Sequence, residues 1–260
     1  MLDAFYEPDG DAFLATELTR GPWDPEAQHA GPPAALLGHA IERLPEAAEF
    51  RVGRLTFEIL GPVPIKAVGV RSRVVRPGRR VQMVEADLVV GEEVLMRARG
   101  WRIRRAPLEL PADAIVEVPP PAPPEEGAEL GFFPTGEEHG YHSAMEWRFV
   151  SGSFLERGPA SVWLRMLHPL VAGTAPTPLE RALVAADVGN GISASLDFGR
   201  FLFINVDLTV QLERMPAGEW VGVDAVTLPQ ADGIGTAESV LFDERGRIGR
   251  GLQTLLVGER

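Results

Sequence analysis

The stretch "LTFEILGPVP", residues 55–64, has a counterpart in "LTVQLERMP", residues 208–216, and this pairing decides how the chain is read. Pro64 and Pro216 stand 152 positions apart. Two further landmarks recur at nearly the same offset. "VGV" occurs at 68–70 and 221–223, 153 apart, and "RG" at 99–100 and 250–251, 151 apart. All three fall between the same expected elements. The chain therefore reads as two copies of one domain, since a solenoid would show shorter and more numerous repeats.

Each copy runs as one helix followed by several strands. In the first, "GPPAALLGHAIERL" (31–44) is the helix, with Pro32 and Pro33 suited to a first turn whose N–H groups have no partner anyway. "RLTFEIL", "KAVGVRSRVV", "RVQMVEADLVV" and "VLMRARGWRI" follow as strands, by alternation or β-branched content. In the second, a helix over Leu179–Val188 precedes "LFINVDLTVQL", "WVGVDAVTL", "GTAESVLFD" and "GRGLQTLLV". Between the copies lies "APLELPADAIVEVPPPAPPEEGAEL" (106–130), with seven prolines in its first twenty residues. Proline removes backbone donors and favours extended chain, so this segment is expected to cross a surface. The expected division is an N-terminal unit over 1–105, a Pro-rich linker over 106–139 and a C-terminal unit over 140–260.

A single helix followed by antiparallel strands buries its apolar surface best when the sheet curls around it. Small residues such as those of "GPPAALLGHA" let the sheet wrap closely. Two such units can pair edge to edge into one continuous sheet, which covers two otherwise exposed strand edges. The fold class is α+β.

Composition narrows the function. The 260-residue chain is 45% hydrophobic and 24% charged, an ordinary globular balance. No apolar run is long enough to span a membrane, and "MLDAFYEPDGDAF" lacks the basic-then-apolar layout of a signal peptide. A cytoplasmic protein is expected. A formal net charge of −12 argues against a nucleic-acid partner. The arginines of "VRSRVVRPGRR" and "RARGWRIRR" read first as solvated strand faces, with a basic rim for a phosphorylated ligand such as coenzyme A as the alternative. The absence of cysteine removes disulfides, thiolate metal sites and a cysteine nucleophile. The five histidines are too dispersed to suggest a metal site, and His139 and His142 read as part of a surface loop. The chain carries no phosphate-binding loop, dinucleotide fingerprint or nucleophile elbow. The expectation is no cofactor and no metal.

One stretch poses a chemical question. In "LERALVAADVGNGI" (179–192), Asp187 arrives on the apolar face of the helix, just before Gly189-Asn190-Gly191, which reads as a stop signal. An anion in the last turn opposes the helix dipole. Burying it beside Leu183 costs more unless something pairs with it. Either Asp187 points to water at a frayed end, or it is held there for a purpose.

At these residues the chain resembles the double-hotdog acyl-CoA thioesterases, the family of bacterial thioesterase II. The likeness covers about 12–105 and 140–258. It is carried by "AADVGNGIS", "FINVDLTVQLERMPAGEW" and "GIGTAESVLFDERGRIGRGLQTLLV", and in the first half by "QHAGPPAALLGHAIE". The resemblance implies a double hotdog, two tandem units each with a central helix wrapped by a curved antiparallel sheet. It also implies hydrolysis of acyl-coenzyme A or related thioesters without a cofactor. The family's catalytic Asp falls on Asp187, its last-strand Gln on Gln253, and its strand Ser or Thr on Asn205. Asn205 is a departure, since it has no hydroxyl, though an amide can still hold a water.

Thioester hydrolysis needs a water aimed at the carbonyl carbon, a base for its proton and donors for the oxyanion. Asp187 would be the base, its pKa pushed up by burial. Asn205 and Gln253 would orient the water. Backbone N–H groups at a helix start would stabilise the oxyanion, with Gly31 of "HAGPP" the candidate. His29 reads as a helix cap or surface residue in preference to a base. Asp207 is read as a surface carboxylate on an edge strand, sharing the strand face of Asn205. Two rival readings are a non-catalytic acyl-thioester binding protein of the same fold and an enoyl- or hydroxyacyl-thioester hydratase or dehydratase. Paired hotdogs already satisfy their strand edges, so both a monomer and a homodimer are open.

Overall fold

Apolar alternation puts Leu55 and Phe57 on one face of their strand and Thr56 and Glu58 on the other, and this pattern organises the whole sheet. A computed structural model of the chain describes residues 3–133 and 135–260. In chain order, β1 (Tyr6–Asp9) and β2 (Ala12–Ala15) form a hairpin ahead of α1 (Gly31–Ile41). Next come β3 (Phe50–Ile59), β4 (Ala67–Arg76), β5 (Val81–Val90) and β6 (Glu93–Arg104). The second half opens with β7 (Met145–Ser151) and β8 (Ala160–Met166) and continues with α2 (Pro178–Ala186) and α3 (Gly189–Ile192). It closes with β9 (Phe201–Asn205), β10 (Asp207–Leu212), β11 (Val221–Pro229), β12 (Ile234–Asp243) and β13 (Gly246–Glu259).

Among the described residues these strands make one antiparallel sheet, ordered β1-β2-β4-β5-β6-β3-β10-β13-β12-β11-β8-β7, with β9 extending the line of β10 along β13. The halves join at β3 and β10, where Thr56 lies opposite Thr209 and Leu55 opposite Val210. This is the α+β double hotdog, with its edge-to-edge seam.

The sheet wraps the helices as small-residue composition requires. Ala34, Ala35, Leu36 and Leu37 of α1 are fully buried, as are Leu179, Ala182, Leu183 and Val184 of α2. α1 packs on β4, β5 and β6, α2 packs on β8, β11 and β12, and the helices pack on each other. Their approach is close. A Cβ on Gly31 would stand 2.7 Å from the Val184 carbonyl oxygen, and one on Gly38 would run into Leu183 Cδ1. The interhelical contact also buries a polar pair, His39 Nδ1 with Glu180 Oε1 at 2.7 Å.

Three expectations change. The "RG" match lies two positions out of register: Thr56 faces Arg99 across β6, whereas its counterpart Thr209 faces Leu252 across β13. In strand register the copies are therefore 153 apart, and Gly100 corresponds to Gln253. Gly189-Asn190-Gly191 does not end the helical path but forms the short turn of α3, and neither glycine adopts the left-handed conformation of a helix cap. "LFINVDLTVQL" is two strands, broken at Val206. The hairpin β1–β2 and the strands β7 and β8 were not anticipated from the sequence.

The Pro-rich segment runs over the outside of the second half. The Ala122 carbonyl accepts from Trp163 Nε1 at 2.8 Å, and the Val118 carbonyl accepts from Arg247 N at 2.8 Å. No helix among the described residues is long and apolar enough to cross a membrane.

Candidate active site

The local sequence fixes Asp187 before any tertiary contact does. Thr177 and Glu180 form a reciprocal capping box that starts α2, and Pro178 fills its first position. Counting on from that start, Asp187 becomes the helix C-cap, still in right-handed helical conformation. Leu183 and Val184 precede it on the buried face, so its carboxylate is carried inward. It does not point to water: Asp187 is 3% exposed.

Its partners come from three other elements. Asn205, the last residue of β9, donates from Nδ2 to Asp187 Oδ1 at 2.9 Å. Gln253 of β13 donates from Nε2 to the same oxygen at 3.1 Å and to the Asp187 carbonyl at 3.2 Å. His29, just before α1, places Nδ1 3.2 Å from Oδ2. The three residues matched to the thioesterase pattern thus lie in one hydrogen-bonded group.

The break at Val206 explains the position of Asn205. Both Asn205 amide hydrogens have acceptors, Asp187 Oδ1 and the Asp207 carbonyl at 3.2 Å, so its amide oxygen is the atom left to receive a hydrogen bond. Asp207 is not on an edge: β10 lies between β3 and β13, and Asp207 Oδ1 accepts from Thr254 N at 2.6 Å. The Asp207 carboxylate ties down a β13 donor at the strand break.

Gln253 is held as firmly as it holds. Its Oε1 accepts from Asn190 N at 3.0 Å, while Asn190 Nδ2 donates to the Phe203 carbonyl at 2.9 Å. A Cβ at Gly189 would stand 3.0 Å from the same Oε1, so glycine there lets the amide approach. The "GNG" triplet is a seat for Gln253.

His29 does cap the helix start, accepting from Gly31 N at 3.1 Å. It also faces Asp187, which the sequence did not reveal, because the contact exists only once the halves dock. Its ring stacks on Tyr141, with centroids 4.0 Å apart and planes at 6°, and the Tyr141 hydroxyl donates to the Val184 carbonyl at 2.7 Å.

Burial governs the electrostatics. It pushes the Asp187 carboxyl up to about 7, against the opposing pull of the Asn205, Gln253, Gly31 and Ala30 N–H groups. It pushes His29 down to about 3. Both groups shed charge, so the approach of His29 Nδ1, which accepts from Gly31 N, to Asp187 Oδ2 is not an ion pair. A carboxylate with this pKa is poised to exchange protons near pH 7.

A cavity of about 420 Å³ opens on the carboxylate, with His29, Ala30, Asp187, Asn190 and Asn205 at its polar end. Trp23, Ile59, Val63, Met96 and Ile204 give it apolar walls. Gln253 is not among its lining residues. Gly31 does not line it either, and its N–H already serves His29 Nδ1.

Comparison with known proteins decides the family. A profile described as the acyl-CoA thioesterase N-terminal domain matches residues 19–103, and one described as the acyl-CoA thioesterase C-terminal domain matches residues 117–257. The chain belongs to the acyl-CoA thioesterase family. This thioesterase has the fold of several solved structures. A protein provisionally named a thioesterase, from Novosphingobium aromaticivorans, superposes with a TM-score of 0.74 at 18% identity, covering 97% of this chain and 98% of that one. A protein described as having the hot dog fold, from Alicyclobacillus acidocaldarius, gives 0.71 at 16% identity, covering 99% and 97%. An acyl-CoA thioesterase II from Mycobacterium marinum gives 0.68 at 14% identity, covering 98% and 96%. Among curated proteins, none matches the sequence. The thioesterase therefore hydrolyses thioesters as its family does.

Proposed function

We propose that this thioesterase hydrolyses acyl-coenzyme A or a closely related acyl thioester with a water activated by Asp187, without a cofactor. The observation that carries the reading is the Asp187 carboxylate, buried at the polar end of an apolar-walled cavity and hydrogen-bonded by Asn205 and Gln253. The acyl chain lies along Trp23, Met96 and Ile204. A water beside the Asn205 amide oxygen gives its proton to Asp187 Oδ2 as its oxygen bonds to the carbonyl carbon. The tetrahedral oxyanion is met by backbone N–H at Ala30–Gly31, where both donors turn from Asp187 as it takes the proton and the Gly31 donor also leaves His29 Nδ1. Collapse breaks the C–S bond, and Asp187 returns its proton to the departing sulfur.

In this scheme Asn205 takes the place of a hydroxyl by accepting from the water. Gln253, outside the cavity, acts as a positioning residue for the carboxylate. Chain units over 1–105 and 140–260, joined by the linker 106–139, contribute to one site between them. The setting that suits this chemistry is acyl-chain metabolism in the cytoplasm.

Thiol release from a panel of short, long and aromatic acyl-CoAs tests the proposal, with Asp187→Asn as the control. Loss of a general base is expected to lower turnover about a hundredfold or more. Equal rates in both proteins would remove Asp187 from the mechanism. Binding without release from any substrate would make the chain a non-catalytic acyl-thioester binder.

A further inference from the structure

The approximate two-fold relation between the halves generates a second cleft at the opposite end of the helix pair. In the first cleft the end of α2 meets the start of α1. In the second, the end of α1, Ile41–Arg43, meets Thr177 at the start of α2, around a cavity of about 770 Å³. At the 153-residue register offset, Val52 stands where Asn205 stands in the first cleft, and Gly100 stands where Gln253 does. The second cleft therefore has none of the water-holding amides, and its chemistry is different.

Four arginines line it: Arg43, Arg51, Arg102 and Arg105. Glu42 is the sole carboxylate in the lining, and it accepts from the Thr177 hydroxyl at 2.6 Å. Among the described residues none of the four arginines is in a salt bridge, in a chain whose net charge is −12. Arg102 is the most telling. It is 2% exposed, donates from Nε to Gln82 Oε1 and from Nη2 to the Pro45 carbonyl, both at 2.6 Å, and lies over the Phe50 ring. Its Nη1 is buried and finds no acceptor among the described residues. The Glu46 carboxylate stands one hydrogen bond away, accepting from Gln82 Nε2 at 3.2 Å, so it does not meet this donor. A buried guanidinium with an unused donor is costly unless an acceptor completes its shell.

We propose that the second cleft binds an oxyanion-headed amphiphile, its carboxylate or phosphate taken by Arg102 and the arginine rim and its body laid over Phe50, Val52 and Met215. Arginine forks suit either headgroup. A fatty carboxylate and the phosphates of coenzyme A share this chemistry.

Calorimetric titration of the Asp187→Asn protein with decanoate, coenzyme A and inorganic phosphate separates the sources. Decanoate or coenzyme A is expected to bind, and whichever does identifies the body attached to the oxyanion. The double variant Arg51→Glu, Arg105→Glu changes exposed side chains only and is expected to weaken that binding tenfold or more. Arg102→Met is expected to abolish it where the variant folds. Three results would overturn the proposal: no binding of decanoate or coenzyme A, phosphate binding as tightly as either, or affinity untouched by the double charge reversal. The last would place the ligand in the first cleft.

Discussion

Thr56 and Thr209 meet hydroxyl to hydroxyl, 3.1 Å apart, directly opposite each other where β3 joins β10. They are counterparts in the two copies, so the approximate two-fold axis passes between them. A hydrogen-bonded pair of this kind on facing strands contributes about 0.2–1 kcal/mol. Replacing Thr56, Thr209 and both with valine, and comparing urea unfolding, is expected to give a coupling energy in that range. Strict additivity would mean that the two hydroxyls are bound separately to solvent.

The His29–Asp187 pair makes a signed prediction about stability. Below about pH 7 the native state keeps a proton on Asp187, whereas the unfolded chain loses it near 3.8. Stability from Asp187 is thus present at low pH and lost as pH rises through about 7. His29 is the reverse: the unfolded chain takes a proton near 6.5 and the native state only near 3, so stability is lost as pH falls. Between about pH 4 and 6.5 each state holds one proton on the pair, and the two effects cancel. Asp187→Asn is expected to unmask the histidine, so that stability relative to wild type falls with acidification by about 1.4 kcal/mol per pH unit. His29→Asn is expected to show the opposite slope. Parallel pH–stability curves in all three proteins would contradict the assigned shifts.

The same carboxyl sets the rate profile. A general base works ionised, so kcat/KM is expected to rise with pH through about 7 and then level off. Asp187→Asn should lose that inflection together with its activity. Its stability relative to wild type should also be greater at pH 8 than near pH 4, by on the order of 4 kcal/mol, because the buried charge is gone. A much smaller change would argue that the carboxylate is better solvated than its burial implies.

The helix contact distinguishes two glycines. At Gly31 a methyl group meets the Val184 backbone carbonyl, which cannot step aside without moving α2 and Asp187 with it. At Gly38 it meets the tip of Leu183, which can rotate. Gly31→Ala is therefore expected to cost about 1–3 kcal/mol and most of the activity. Gly38→Ala should cost less and leave the carboxylate in place. Thermal unfolding and acyl-CoA turnover of the two variants give the comparison.

Gln253→Leu tests the positioning role. It removes two donors from Asp187 and leaves Asn190 N without its acceptor. An unsatisfied buried donor costs about 1–3 kcal/mol. If Gln253 orients the carboxylate and stays clear of substrate, kcat is expected to fall about tenfold or more with KM little changed. A rise in KM alone would place the side chain against the substrate.

Much of this arrangement was legible in the chain. Strict alternation in "RLTFEIL" and the Ala-rich helix at Gly31–Ile41 are local signals, and local signals suffice for a curved sheet on a helix. Asp187 was noticeable because its apolar flanks contradict its charge. The contact between His29 and Asp187 was not legible, since residues far apart in sequence meet only through the docking of α1 on α2. The short dipeptide "RG" misled for a statistical reason, two letters being too few to fix a register. β7 is not announced although "MEWRFVS" alternates, because loops that carry glycines at 131, 136, 140, 152 and 158 surround it and leave the strand isolated. Nor does anything in "VGNGI" announce that its glycine makes room for an amide 64 positions later.

Covalent tandem arrangement at the Thr56–Thr209 junction has an evolutionary corollary. In a dimer of identical subunits every substitution is written twice, so both clefts must keep the same residues. Fusion into one chain frees each copy to mutate by itself. One end of the helix pair holds Asp187 with its amides, while the other holds Glu42 among four arginines. A single gene can thereby encode an enzyme whose two ends answer to different molecules.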